Sequence, residues 1–130
     1  MRYGFFKTVS LPFGNAVERV TEELKREGFG ILTTIDIQDT LKKRLGINFR
    51  KYLILGACNP PLAHEALQAE ENIGLLLPCN VVVYEEEKTT VIGVFDPMSM
   101  NVLVDNPKLQ TIAETVGRKL HKALDAVPTS

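Results

Sequence analysis

The chain has 130 residues, of which 24% are charged and 45% hydrophobic, and its formal net charge is −1. That size fits one domain built around one core. The balanced charge argues against a protein that binds nucleic acid through a basic surface. The most apolar segment, residues 73–84, is interrupted by Pro78 and Asn80 and is too short to span a bilayer. We therefore expect neither a nucleic-acid partner nor membrane insertion.

The N-terminal residues do not have the apolar run of a secretory signal, which favours a cytoplasmic protein. Structural disulfides are uncommon in that compartment. The two cysteines, Cys58 and Cys79, are therefore interpreted as free thiols, metal ligands or a redox pair.

The first strand and the first helix are predicted from the spacing of their apolar residues. Aromatic and polar residues alternate over Tyr3–Ser10, which predicts a strand. Apolar residues then recur at helical spacing up to Gly28, which is suited to the left-handed end of a helix. The predicted helix stripe consists of Phe13, Ala16, Val17, Val20 and Leu24. Residues 29–35 are rich in Ile, Thr and Phe, which predicts a second strand.

Asp36 stands where the next helix begins. Its carboxylate can accept the free backbone N–H groups of a short helix over Ile37–Leu45 that Gly46 ends. We expect Ile37, Leu41 and Leu45 to form the buried stripe of this helix. Since Asp36 also closes a strand, a role as a binding-site carboxylate is the alternative interpretation.

The second half of the chain predicts one more strand followed by a helix, then a hairpin and a final helix. Residues 52–57 predict a third strand, and Asn59 is placed to cap a helix that starts at Pro60 and runs through Glu70. Residues 80–86 and 89–95 predict a hairpin with a tight turn near Glu87. A long final helix is predicted from an apolar stripe that consists of Leu109, Ile112, Val116, Leu120, Leu124 and Val127.

The predicted element order is β-α-β-α-β-α-β-β-α. It favours a two-layer α+β domain over residues 1–127, with a mostly antiparallel sheet, helices on one face, and a frayed tail at residues 128–130. The early βα alternation also permits one parallel strand pair.

Four short motifs occur in an order that resembles a known bacterial and archaeal family. They are GACNP at Gly56–Pro60, LLLP at Leu75–Pro78, VVVYE at Val81–Glu85 and FDP at Phe95–Pro97. In this order and spacing they resemble the family called domain of unknown function 302. The resemblance implies a compact α+β domain comparable with the TATA-binding-protein fold, and a homodimer. It implies no activity, and the two cysteines place this chain with a cysteine-bearing branch.

Cys58, Cys79 and His64 are the strongest candidates for a site. Cys58 ends one predicted strand and Cys79 begins another, so the two thiols lie close together if those strands are antiparallel neighbours. His64 lies about one turn into the helix that Asn59 caps. Two thiolates and an imidazole with an open fourth position suit zinc or another soft transition metal. The alternative is that both cysteines act as small buried hydrophobes, since no Cys-x-x-Cys pair is present.

Three functions remain open at this point. The first is a protein that binds a metal ion or a thiol-reactive ligand at a corner formed by Cys58, Asn59, His64 and Cys79. The second is a thiol redox enzyme in which Cys79 resolves an intermediate on Cys58. The third is a structural or regulatory homodimer with no site in the monomer.

Overall fold

The structure is a computed structural model that describes residues 3–130. Its strands are β1 (Gly4–Val9), β2 (Gly30–Asp36), β3 (Tyr52–Cys58), β4 (Cys79–Glu86) and β5 (Thr89–Phe95). Its α-helices are α1 (Phe13–Arg26), α2 (Ile37–Leu45), α3 (Pro60–Ala69), α4 (Met100–Leu103) and α5 (Pro107–Ala126). Two 3₁₀ helices cover Glu71–Leu76 and Pro97–Ser99.

The five strands form one sheet in the order β1-β5-β4-β3-β2, and every neighbouring pair is antiparallel. The α+β prediction and the predicted element order are therefore confirmed, and the parallel pair that the sequence permitted does not occur among these strands. Each predicted strand begins and ends within one residue of the observed one. The two 3₁₀ helices and the four-residue α4 were not predicted.

The main core lies between one face of the sheet and the long helices α1 and α5. Alternate residues of the central strands point to this face, as a pleated strand requires. The strand residues in this core include Leu55, Ala57, Val81, Val83, Ile92 and Val94. Residues of the predicted helix stripes pack against them, among them Val20, Leu24, Val116 and Leu120.

The predicted ends of α1 and α2 and the predicted β4–β5 turn are confirmed, and a residue with a positive φ lies at each of them. Gly28 follows α1 with a φ of 90°, and Gly46 follows α2 with a φ of 66°. Glu87 occupies the β4–β5 turn with a φ of 54°, which is the left-handed region although it is not a glycine.

The prediction that α2 has a buried stripe is wrong, since none of its residues is buried. Leu45 is 65% exposed, and Ile37 and Leu41 are only partly covered. The physical reason is position: α2 follows the edge strand β2 and packs beside β3, away from the layer of α1 and α5.

Thr129, in the C-terminal tail, contacts the residue that follows β1. Its carbonyl accepts hydrogen bonds from the backbone N and the Oγ of Ser10, at 2.7 and 2.9 Å. Within residues 3–130, no helix is both long enough and apolar enough to cross a membrane.

Candidate functional site

The antiparallel pairing of β3 with β4 places the two cysteines at one corner of the sheet. Cys79 pairs with Ala57, and Cys58 is the next residue along β3. On its other side Cys58 pairs with Gly30 of the edge strand β2. The chain between the cysteines leaves the sheet as α3 and a 3₁₀ helix and returns to the same corner. Both thiols are free.

A cavity of about 330 Å³ opens beneath this excursion. That volume lies within the range of small-molecule sites. The residues that line the cavity come from the strand corner, α3, the segment before β4, and α5. They are Phe29, Leu32, Ala57, Cys58, Asn59, Leu62, Ala63, Ala66, Leu67, Gly74, Leu77, Pro78, Cys79, Met100, Ile112, Ala113 and Val116. None of these lining residues is charged.

Small side chains create the space. Ala63 and Ala66 of α3 line the cavity together with Ala113 of α5. The cavity lies where the main core, which contains Cys79, meets a smaller cluster that contains Ala66, Met100 and Ala113. Larger side chains at these alanines would join the two clusters and fill the void.

Two exposed leucines mark the side of the cavity that faces solvent. Leu32 on the edge strand is 65% exposed and Leu67 on α3 is 42% exposed, and both line the cavity. The lining of the cavity therefore reaches the protein surface at β2 and at α3.

The two thiols differ in environment. Cys79 is buried, and this burial, with a smaller effect from Cys58, raises its pKa from 9.0 to about 12. The Cys79 thiol therefore stays protonated at neutral pH, which makes it a poor nucleophile. Cys58 is only partly buried and lies one residue before Asn59, the N-cap of α3.

Asn59 lines the cavity, but both ends of its amide are already used. Its Oδ1 accepts from Leu62 N at 3.3 Å, which caps α3 as predicted. Its Nδ2 donates to the carbonyl of Glu27 at 3.3 Å, which ties α3 to the end of α1. Asn59 therefore holds the start of α3 in place, and both its amide oxygen and its amide nitrogen already have hydrogen-bond partners.

The structure does not bring His64 and Asp36 into this site. His64 is exposed on α3 and is not among the residues that line the cavity. Asp36 is exposed at the opposite end of β2, where its Oδ1 accepts from Asp39 N at 3.0 Å and caps α2. Over the described residues 3–130, no three His, Cys, Asp or Glu side chains form a group that could hold a metal ion. Cys58, Cys79 and His64 are therefore not grouped as the expected metal triad, and His64 is exposed on α3 instead.

Sequence reasoning did not identify the α5 side of the cavity. Ile112, Ala113 and Val116 line it, yet along the sequence they form part of a continuous core stripe. On α3, Ala63 and Ala66 share one face at i, i+3 spacing, but this spacing does not identify their partners on α5.

Comparisons with known proteins agree with the resemblance found in the sequence. The model of the family described as domain of unknown function DUF302 matches residues 5–127. The crystal structure of an uncharacterized conserved DUF302 protein from Bacillus stearothermophilus has a TM-score of 0.91 and 32% sequence identity. The match covers 98% of this chain and 100% of that chain. A comparison with curated proteins finds no match.

Proposed function

We propose that this chain, which belongs to the DUF302 family, binds a small uncharged ligand in the cavity at the Cys58–Cys79 corner. One observation carries the proposal: a cavity of about 330 Å³ is lined mainly by apolar residues, together with Cys58, Asn59 and Cys79. Burial of apolar ligand surface supplies the affinity, at about 25 cal/mol for each Å². The absence of a charged lining residue disfavours an ionic ligand.

The redox-enzyme alternative is less well supported. A resolving cysteine must attack as a thiolate. The raised pKa of Cys79 keeps it protonated, so its thiolate is scarce at neutral pH. Two free thiols still favour a reducing compartment, and we propose that the protein works in the cytoplasm. The net charge of −1 gives no support to a nucleic-acid ligand.

Binding can be tested with an uncharged fluorescent probe, N-phenyl-1-naphthylamine. We expect its fluorescence to rise on titration with the protein. In Ala63→Leu, the larger side chain should occupy the cavity and weaken binding by about tenfold, the effect of roughly 1.4 kcal/mol of lost contact. The Ala69→Leu variant adds the same atoms to the same helix outside the cavity lining, so its affinity should match that of the parent chain. Equal binding by all three proteins would contradict the proposal.

We propose, as a second function, that the chain is a homodimer that packs through the open face of its sheet. Five cross-strand neighbours form an apolar row on this face, one from each strand: Phe6, Gly93, Val82, Ile54 and Ile35. Phe6 is 56% exposed and Ile35 is 46% exposed at the two ends of the row. A second copy would cover this surface, because a row without charge can face its own symmetry mate without repulsion.

Sedimentation equilibrium tests this second proposal. We expect a dimer at micromolar concentration for the parent chain and a monomer for Val82→Lys, since Val82 lies at the centre of the row. The Leu103→Lys variant places the same charge at a residue that is 71% exposed and outside the sheet, and it should stay dimeric. A monomeric parent chain would contradict the proposal.

A further inference from the structure

We infer that a second cleft, between α5 and the 3₁₀ helix over Pro97–Ser99, binds an α-amino acid with an apolar side chain. This cleft has a volume of about 400 Å³ and shares no lining residue with the cavity at the Cys58–Cys79 corner. Four of its lining residues belong to α5, and the other three are Phe5, Asp96 and Met98. The inference is therefore independent of the functions proposed above.

Helix α5 presents one face to this cleft. Its lining residues are Glu114, Gly117, Arg118 and His121, and their spacing along the chain puts them on the same side of a helix. Gly117 is buried among them, and a Cβ built there would lie 3.8 Å from Cδ of Pro97. The face therefore carries a carboxylate, a guanidinium and an imidazole around one position that has no side chain.

The two opposite charges on this face are not paired with each other. Glu114 precedes Arg118 by four residues, which is a spacing at which such side chains readily pair on a helix. Within residues 3–130, however, no salt bridge joins them and neither side chain has another ionic partner. Both side chains are exposed and line the cleft. A carboxylate and a guanidinium are thus both available to a ligand that bears both charges.

The rest of the lining supplies an apolar surface and a second carboxylate. The rings of Phe5 and His121 are stacked, with their centroids 4.8 Å apart and an angle of 24° between their planes. Met98 adds a thioether side chain to the lining. Oδ1 of Asp96 accepts a hydrogen bond from Met98 N at 2.9 Å, which fixes the orientation of that carboxylate. An apolar group of a ligand can therefore pack beside the charged side chains.

These groups match the three parts of an apolar α-amino acid. The fork of N–H donors on Arg118 can bind both oxygens of the ligand carboxylate. The carboxylates of Glu114 and Asp96 attract its ammonium group, and its side chain packs on the stacked rings. An anionic ligand would face two carboxylates, and a cationic ligand would leave the guanidinium without a partner. A zwitterion is therefore favoured over either.

The test is a titration of the parent chain with L-phenylalanine, followed by the amide chemical shifts in NMR spectra. We expect the amides of Gly117, Arg118 and His121 to shift, and those of Ala57 and Ala63 in the apolar cavity to stay unchanged. Hydrocinnamate lacks the ammonium group and phenethylamine lacks the carboxylate. Each should bind about fivefold more weakly than L-phenylalanine, because each loses one partly exposed ion pair.

Two variants assign the charges. Arg118→Gln should weaken binding of L-phenylalanine and hydrocinnamate by about fivefold without weakening that of phenethylamine. Glu114→Gln should weaken L-phenylalanine and phenethylamine without weakening hydrocinnamate. The control is Arg44→Gln, which removes an exposed arginine on α2 outside the cleft and should bind as the parent chain does. The inference is overturned if L-phenylalanine shifts no amide of the cleft, or if each variant weakens both analogues equally.

Discussion

At the scale of single residues, the close packing of Thr33 and Pro78 against β3 depends on Gly56. A Cβ built at this position would overlap Oγ1 of Thr33 and come within 2.8 Å of Cγ of Pro78. Thr33 lies beside Gly56 on β2, and Pro78 directly precedes Cys79. The absence of a side chain at residue 56 therefore lets the segment that carries Cys79 approach β3.

We predict that Gly56→Ala lowers the free energy of unfolding by about 1–3 kcal/mol, because overpacking forces β2 and the Pro78 segment apart. The measurement is the urea unfolding midpoint. Gly30→Ala is the matched control, since it also changes a strand glycine but a Cβ there would meet no atom within 4 Å. A similar stability for both variants would contradict this account of Gly56.

Asn59 and Asp36, both candidates for a site, are helix caps of unequal importance. Asp36 is exposed and caps α2 alone, whereas Asn59 caps α3 and also donates to Glu27. We predict that Asp36→Ala costs about 1 kcal/mol of unfolding free energy and Asn59→Ala about 2 kcal/mol, because the second loses an extra hydrogen bond. Both values follow from urea unfolding curves. Equal costs would show that the bond to Glu27 adds nothing.

At the scale of elements, the β4–β5 hairpin contains a local strain. Glu87 adopts a φ of 54°, a region where a side chain is disfavoured and glycine is not. We predict that Glu87→Gly raises the free energy of unfolding by about 0.5–1 kcal/mol, the net of relieved strain and a more flexible unfolded chain. Glu86→Gly, at the last residue of β4, should instead lower it, since Glu86 does not have a positive φ and glycine loses more conformational freedom on folding. Differential scanning calorimetry compares the two, and a lower midpoint for Glu87→Gly would contradict the strain.

Elements were predictable from sequence because their signals are local. The hydrophobic period, the helix caps and the turn residues predicted the bounds of β3, α3 and the β4–β5 hairpin to within one residue. The shared corner of Cys58 and Cys79 followed from the same reasoning, because one residue closes a strand and the other opens one. The exposure of α2 was not predictable, since an apolar stripe shows which face of a helix is apolar but not whether another element packs against that face.

The cavity itself required the tertiary structure. Ala63, Ala66 and Ala113 carry no sign in the sequence that they face one another, because two of them belong to α3 and one to a helix some fifty residues later. His64 shows the opposite error: its spacing from Cys58 suggested a ligand, but the rotation of α3 turns it to solvent. Helix rotation about its axis is set by packing on α5, which single-sequence periodicity does not specify for a short helix.

At the scale of the whole molecule, the two proposed functions concern two apolar surfaces on opposite faces of the sheet. The helix side of the sheet encloses the cavity next to Cys79. The other side presents the row from Phe6 to Ile35. Strands β3 and β4 contribute to both, since alternate residues of a strand point to opposite faces: Ala57 and Cys79 line the cavity, and Ile54 and Val82 belong to the row. A variant on one face therefore reports on ligand binding, and a variant on the other reports on association.

Global stability should fall at alkaline pH. Burial raises the pKa of Cys79 from 9.0 to about 12, and burial and the neighbouring Tyr84 and Tyr3 raise the pKa of Tyr52 above 10.0. In the unfolded chain these groups lose their protons earlier, so unfolding releases protons and a rise in pH favours it. The contribution of these two groups to the free energy of unfolding is fully present below pH 9 and is lost progressively as the pH rises towards 12.

Urea midpoints measured from pH 7 to 11 should therefore decrease, and they should decrease less in Cys79→Ala and in Tyr52→Phe. If Cys79→Ala and the parent chain lose stability with the same slope, the Cys79 thiol does not titrate with the raised pKa that its burial implies.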